Sequence, residues 1–208
     1  MAQAVPIVFV VDDDVSVRES LELLIRCGGW RAETFASAEA FLARARADAP
    51  SCLILDVALP DLNGLDLQQR VSVERIDMPI IFISGFGDVP MTVRAMKAGA
   101  VEFLTKPFDD EVLLGAIRCA IDLSLEALDR KAAVQTLRDR EASLSRRERE
   151  VMERVVAGRM NKQIAGELGI SEITVKAHRG KVMRKMQADS VADLVKMAAK
   201  LGPTWAAG

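Results

Sequence analysis

Three short apolar runs and a fourth mixed one, each ending on a charged or hydroxyl residue, constrain the fold of this chain more than any other feature. Val8-Phe9-Val10-Val11 leads into Asp12-Asp13-Asp14, Leu53-Ile54-Leu55 into Asp56, and Ile80-Ile81-Phe82-Ile83 into Ser84. The fourth run, Val101-Glu102-Phe103-Leu104-Thr105, leads into Lys106-Pro107. Runs this short, separated by helix-like segments, predict strands buried on both faces of a parallel sheet. In an open α/β sheet the ligand crevice lies beyond the carboxyl ends of the strands. The acids, the hydroxyl and the lysine are therefore expected to converge in one crevice, a set suited to a hard cation and a phosphoryl group.

The intervening segments carry helix signals. Val17, Leu21, Leu24 and Ile25 share a helical face that Gly28-Gly29 closes. A strand near Arg31 to Phe35 follows, then a helix opened by Ser37 with Phe41 and Leu42 on its apolar side. The Pro60 to Gly64 loop feeds a helix around Leu65 to Val73. Pro90 opens another over Met91 to Lys97, which Gly99 stops, and Asp109-Asp110-Glu111 opens a fifth. Asp14 and the acids at 109–111 read as caps and first-turn charges. Strict alternation implies a parallel sheet covered by helices on both faces, ending near residue 122.

Helical pattern continues from residue 109 into Glu141. Ile121, Leu125, Leu128 and Ala132 follow a heptad spacing that fails at Gln135 and Asp139, while Val134, Leu137 and Leu144 form a second stripe out of phase with it. That predicts a helical linker rather than a continuous coiled coil. Beyond it everything is helical. Ser145-Arg146-Arg147-Glu148 is a capping box opening a helix with Val151, Met152, Val155 and Val156 inside. Asn161 to Leu168 is short, Gly169-Ile170-Ser171 makes a tight turn, and a longer helix runs from Glu172 to about Met186. Two helices joined by such a turn form a helix-turn-helix signature. A last helix begins near Ser190, with Leu194, Val195 and Ala198 as its expected buried stripe.

Charge divides the chain as the helices do. Residues 1–122 carry 11 basic and 19 acidic side chains, net −8, whereas residues 143–208 carry 13 basic and 7 acidic, net +6. Two domains with different partners follow, and nucleic acid is the natural partner of the basic one. No run approaches the roughly 18 apolar residues of a membrane span, and the start lacks a basic region followed by an apolar one. The expectation is a cytoplasmic protein with no membrane contact. Cys27, Cys52 and Cys119 are odd in number and widely spaced, so buried reduced thiols are expected.

The chemistry of the crevice follows from its residue types. Mg²⁺ prefers oxygen ligands, and Asp13 and Asp56 supply carboxylates, with Asp12 acting through water. The cation offsets repulsion between these acids and an incoming phosphoryl dianion. Asp56 then becomes a nucleophile able to form an acyl phosphate. Lys106 neutralises a phosphoryl oxygen and the Ser84 hydroxyl donates to another. Taken singly, Phe103 reads as a core aromatic and Lys106 as a solvated lysine.

Asp12-Asp13, Asp56 with Pro60 and Gly64 beyond it, Ser84-Gly85 and Lys106-Pro107 together resemble the receiver domain of two-component response regulators. Gly87-Asp88-Val89-Pro90-Met91 through Met96-Lys97-Ala98-Gly99-Ala100 resembles the FixJ-like subgroup. The resemblance covers roughly residues 5 to 122 and implies a flavodoxin-like (βα)5 fold with a central parallel sheet. It implies a histidine kinase that phosphorylates Asp56, an Ala58 carbonyl helping to hold Mg²⁺, and a cis Lys106-Pro107 bond. It also implies an aromatic switch at Phe103 paired with the Ser84 hydroxyl. Ala58 offers the phosphate no side chain, and Phe86 is expected to limit water access and prolong the phosphorylated state.

Leu144-Ser145 through Glu148-Val151, Asn161-Lys162-Gln163-Ile164-Ala165, Leu168, Ile170-Ser171, Thr174-Val175-Lys176, His178 and Lys185-Met186 resemble the LuxR-type helix-turn-helix output domain, over about residues 142 to 202. Val175, Val182 and Met186 recur on the inner face of the longer helix, and Lys176, Ala177, Gly180, Lys181 and Arg184 fall outward. The resemblance implies Lys176, Ala177, Arg179 and Gly180 at or beside DNA, with Lys162, Lys181 and Arg184 on phosphates. Ser171 caps this helix, and the amides of its first turn are placed to meet a phosphate. His178 reads as a packing or locally hydrogen-bonded residue, and Arg146-Arg147-Arg149 as an exposed helix face.

The expected architecture is a receiver over residues 1–122, a helical linker over 123–142, and an all-α four-helix helix-turn-helix domain over 143–208. The expected function is a phosphorylation-controlled regulator that dimerises, binds two-fold promoter DNA and engages RNA polymerase. Attraction between the acidic and basic domains is expected to hold it inhibited beforehand. An enzyme alternative, a haloacid-dehalogenase-like phosphatase built on Asp12-Asp13-Asp14, Ser84, Lys106 and Asp109-Asp110, leaves Asp56 and the basic domain unexplained. A phosphate-independent DNA-binding protein with a degenerate receiver is a further alternative, although neither acceptor nor lysine is missing.

Overall fold

The computed structural model describes residues 5–45, 49–60, 62–74, 78–85 and 88–202; Phe86 lies outside them. The chain divides into two compact units, 1–129 and 130–208. The first is built from β1 (Ile7–Val11), α1 (Val15–Cys27), β2 (Arg31–Phe35), α2 (Ala38–Ala43), β3 (Ser51–Asp56), α3 (Gly64–Glu74), β4 (Ile80–Ser84), α4 (Val89–Lys97), β5 (Glu102–Thr105) and the start of α5 (Asp110–Ala142). All strand pairs are parallel, in the order β2-β1-β3-β4-β5.

The helices start where short side chains satisfy their first amides. Asp14 accepts from Ser16 and Val17, Ser37 from Ala40, and Asp88 from Met91. Successive strand residues point to opposite faces, and both faces are dry. Phe9, Val11, Leu53, Leu55 and Phe82 pack with Phe41, Leu67, Val71 and Ala95 of α2, α3 and α4. Val8, Val10, Ile54, Ile81, Ile83 and Leu104 pack with Leu21, Ile25, Leu113 and Ile117 of α1 and α5. Each fully buried side chain of this size contributes about 1.5–3 kcal/mol. Ser51 and Ser124 are among the buried polar residues of this unit, and the Ser51 amide donates to Ser124 Oγ at 3.0 Å.

Cys52 is buried, and burial pushes its thiol far up. The expectation of buried thiols fails for the other two, because Cys27 and Cys119 are exposed. Cys119 neighbours Ile117 and Ala120 in sequence, but 100° per residue turns it away from the face they share.

The second unit adds α6 (Arg146–Val156), α7 (Asn161–Leu168), α8 (Glu172–Met186) and α9 (Val191–Leu201) to the end of α5. Its core joins Leu137 and Leu144 to Val151, Met152, Val155, Ile164, Val175, Val182, Met186, Leu194, Ala198 and Leu201. Val195, expected in the α9 stripe, is 38% exposed; Leu201 completes the stripe instead, one turn beyond Ala198. Gly169 takes φ +65° at the α7 end, where an L side chain would be strained. Among the described residues no helix is long and apolar enough to cross a membrane.

The capping box expected at Ser145 forms: Ser145 Oγ accepts from the Glu148 amide at 3.3 Å, and Glu148 Oε2 accepts from the Ser145 amide at 2.8 Å. Glu148 is buried, and Lys185 of α8 donates to it at 2.6 Å and to the Ser143 carbonyl at 2.8 Å. Lys185 is the main cause, with the Ser145 amide second, of a Glu148 carboxyl lowered from 4.5 to about 2. A depressed folded-state value means that this stabilisation is complete above about pH 4.5 and drains away as pH falls toward about 2. Lys185→Met is expected to move the Glu148 titration, followed by carboxyl NMR, back toward 4.5. It should cost about 1 kcal/mol in denaturant unfolding, a charged hydrogen bond discounted because Lys185 is more than a third exposed.

Candidate functional site

The sheet register aligns the four strand ends in one row. Val11 pairs with Leu55, Asp56 with Ile83, and Ser84 with Thr105, so Asp12, Asp56, Ser84 and Lys106 all emerge at the same edge. Strand order reverses at β1, which lies between β2 and β3, and that reversal opens a crevice beside Asp12 and Asp56.

Lys106 Nζ sits 2.7 Å from Asp12 Oδ2 and 2.7 Å from Asp56 Oδ2. Asp12 is fully buried, Asp56 nearly so, and Asp13 is exposed. The second oxygens are also held: Asp12 Oδ1 accepts from the Asp14 amide and Asp56 Oδ1 from the Ala58 amide, each at 2.9 Å. Burial raises the Asp12 carboxyl above its ordinary value against the pull of Lys106 and the Asp14 amide. Burial pulls Lys106 down, yet its hydrogen bonds to Asp12 and Asp56 together raise it. The two directions have different causes: burial outweighs the lysine at Asp12, whereas two carboxylate partners outweigh burial at Lys106.

An oxygen from each of Asp12, Asp13 and Asp56 lies within 4.8 Å of the others. This all-oxygen set fits a hard divalent cation. Ser84 is buried at the β4 end, and its carbonyl accepts from the Lys106 amide at 2.8 Å. The Lys106-Pro107 bond is cis. Phe103 is half-buried, its ring centroid 6.0 Å from that of Phe82. Gly64 closes the loop beneath Asp56, donating to the Val57 carbonyl at 3.0 Å. A Cβ there would stand 2.6 Å from the Asp56 carbonyl oxygen, closer than real contacts allow.

Arg18 went unnoticed in the sequence. It donates to the carbonyls of Asp12 at 2.7 Å and Asp13 at 2.9 Å, pinning the turn that aims both acids. Its only sequence signal is a basic residue placed one turn into the helix that follows three acids.

In the second unit, Lys162 and Ser171 are exposed, as are Lys176, Ala177, Gly180, Lys181 and Arg184 along one side of α8. Ser171 caps α8, accepting from the Thr174 amide at 3.1 Å and sharing a 2.8 Å contact with the Thr174 hydroxyl, so Thr174 serves the cap. Arg179 is half-buried and donates to Asn161 Oδ1 at 3.0 Å, tying α8 to α7. His178 is half-buried, and its Nδ1 has no hydrogen-bond partner. Arg146 and Arg147 pair with Glu150, and Arg149 with Glu141.

Residues 8–118 match the response regulator receiver domain, and residues 142–198 match bacterial regulatory proteins of the luxR family. Nodulation protein W of Bradyrhizobium diazoefficiens is 50% identical over 196 residues, 94% of this chain and 86% of that protein. The transcriptional regulatory protein FixJ of the same organism is 42% identical over 195 residues, 94% of this chain and 95% of FixJ. The solved structure of the response regulator StyR matches with a TM-score of 0.82 at 47% identity, over 95% of this chain and all of that one.

Proposed function

The chain belongs to the response regulators of two-component systems, with a receiver domain and a luxR-type helix-turn-helix output, and we propose that it takes its phosphoryl group on Asp56 and reads promoter DNA with α8. It is a transcription regulator rather than an enzyme, which sets aside the phosphatase alternative. The observation that carries the proposal is the position of Asp56, a nearly buried carboxylate at the crevice edge with Lys106 at 2.7 Å and two further acids beside it.

In this mechanism an Asp56 oxygen bonds to phosphorus as the bond from phosphorus to the kinase histidine breaks, the electron pair leaving with the imidazole nitrogen. Mg²⁺, held by Asp12, Asp13, Asp56 and the Ala58 carbonyl, supplies charge neutralisation when bound. Lys106 exchanges part of its contact with Asp56 and Asp12 for a phosphoryl oxygen, and the Ser84 hydroxyl turns toward another. Phe103 then turns inward into the space Ser84 leaves. Such a shift at β4, β5 and α4 favours the state that dimerises. Val89, Val93 and Met96, at 77%, 43% and 41% exposure, form an apolar stripe along α4 that suits a second copy.

Residues 1–122 act as receiver, 123–142 as linker and 143–208 as output domain, working in the cytoplasm with RNA polymerase as the downstream partner. Lys176, Ala177 and Gly180 lie at the bases, with Arg179 beside them where it bonds Asn161; Lys162, Lys181, Arg184 and the α8 amino end with Ser171 and Thr174 face phosphates. Arg184→Ala is expected to weaken binding to all DNA sequences alike and to reduce the slope of log affinity against log salt by about 1. Fluorescence anisotropy across a salt series checks this. The proposal is tested by incubating the chain with acetyl phosphate and Mg²⁺: one phosphoryl group per chain, mapped to Asp56, supports it, and uptake at another residue contradicts it.

A further inference from the structure

Ile173 is 80% exposed, more than any other large apolar side chain among the described residues, and it belongs to no core cluster. It lies in the first turn of α8, the helix read above as entering the major groove, and this inference rests on that reading. A β-branched side chain there adds nothing to helix propensity and buries nothing against the protein. Its place on the helix gives it another use. Helical spacing puts residues 173, 176, 177, 180 and 184 on one side, and Lys176, Ala177, Gly180 and Arg184 are all exposed.

Between Lys176 and Arg184 that side offers the bases no side-chain hydrogen bond. Ala177 has only a methyl group, Gly180 has no side chain, and a Cβ built at Gly180 would meet nothing within 4 Å. Small residues let the helix backbone approach base edges closely. The amino end of a recognition helix is the part that meets them. In the major groove the one apolar group a base edge presents is the C5-methyl of thymine. We propose that Ile173 is a base-reading residue whose side chain packs on the C5-methyl group of a thymine, so that part of the sequence preference is carried by apolar contact rather than by hydrogen bonds.

The test is a binding selection from random double-stranded DNA with the full chain and with Ile173→Ala, both treated with acetyl phosphate. It is followed by replacement of each thymine in the selected site by deoxyuridine, which lacks only the methyl group. The expected result is one thymine per half-site at which deoxyuridine weakens the parent chain by about fourfold, the worth of one buried methyl-sized group. At that position Ile173→Ala should show no further loss, and Ile173→Val should restore most of the discrimination. A variant that selects the same site with the same deoxyuridine penalties overturns the contact while leaving DNA binding intact. A parent chain that selects no sequence overturns both the contact and the DNA-binding reading beneath it. An altered fold would weaken binding at every position and would not remove the penalty at one.

Discussion

Asp56→Asn takes up no phosphoryl group from acetyl phosphate or a phosphorylated kinase, falling from about one group per chain to about none, because an amide oxygen is not a nucleophile at neutral pH. The loss should be chemical rather than structural. Asparagine keeps the carbonyl oxygen that accepts from the Ala58 amide, and Lys106 retains Asp12. Removing one of two acids that share a lysine also relieves repulsion between them, so stability should change by no more than about 1 kcal/mol. Intact-protein mass and denaturant unfolding measured on the same sample separate the two effects. Undiminished uptake with an unchanged fold would move the acceptor to another residue.

Lys106→Met should be the more damaging change to the fold. It leaves a fully buried Asp12 and a nearly buried Asp56 facing each other without the ammonium that both contact at 2.7 Å. Breaking a buried pair by removing one partner costs about 3–5 kcal/mol. Lys106 is 24% exposed, which brings the expectation to about 2–3 kcal/mol in a metal-free buffer. The same acids form the candidate cation site with Asp13, so adding millimolar Mg²⁺ should recover much of the loss, and the variant should bind the cation more tightly than the parent. A stability deficit indifferent to Mg²⁺ would show that the three acids do not act together as a cation site.

Much of this was legible in the sequence for identifiable reasons. Strands buried on both faces must be continuous apolar runs, so β1, β3 and β4 announced themselves, and the residue that ends each run marks the crevice. Helix starts were legible because Asp14, Ser37, Ser145 and Ser171 are side chains that satisfy free amides. What stayed hidden depends on angle or on distant contact. Val195 and Cys119 sit beside buried residues in sequence and are turned outward by the helical step. Arg18, which holds the Asp12 and Asp13 carbonyls, and Arg179, which bonds Asn161, have their partners fixed by the fold rather than by any local pattern. Ile173 was passed over because an exposed apolar residue breaks no periodic rule; only its exposure alongside Lys176 and Ala177 marks it.

The central claim, that Asp56 phosphorylation controls DNA recognition by α8, is tested most directly by selecting genomic DNA fragments with the parent chain and with Asp56→Asn, with and without acetyl phosphate and Mg²⁺. Enrichment of a two-fold sequence by the phosphorylated parent, absent from the untreated parent and from the variant, is the predicted result. Equal enrichment of one sequence under all conditions would contradict it, leaving a DNA-binding protein whose control does not pass through Asp56.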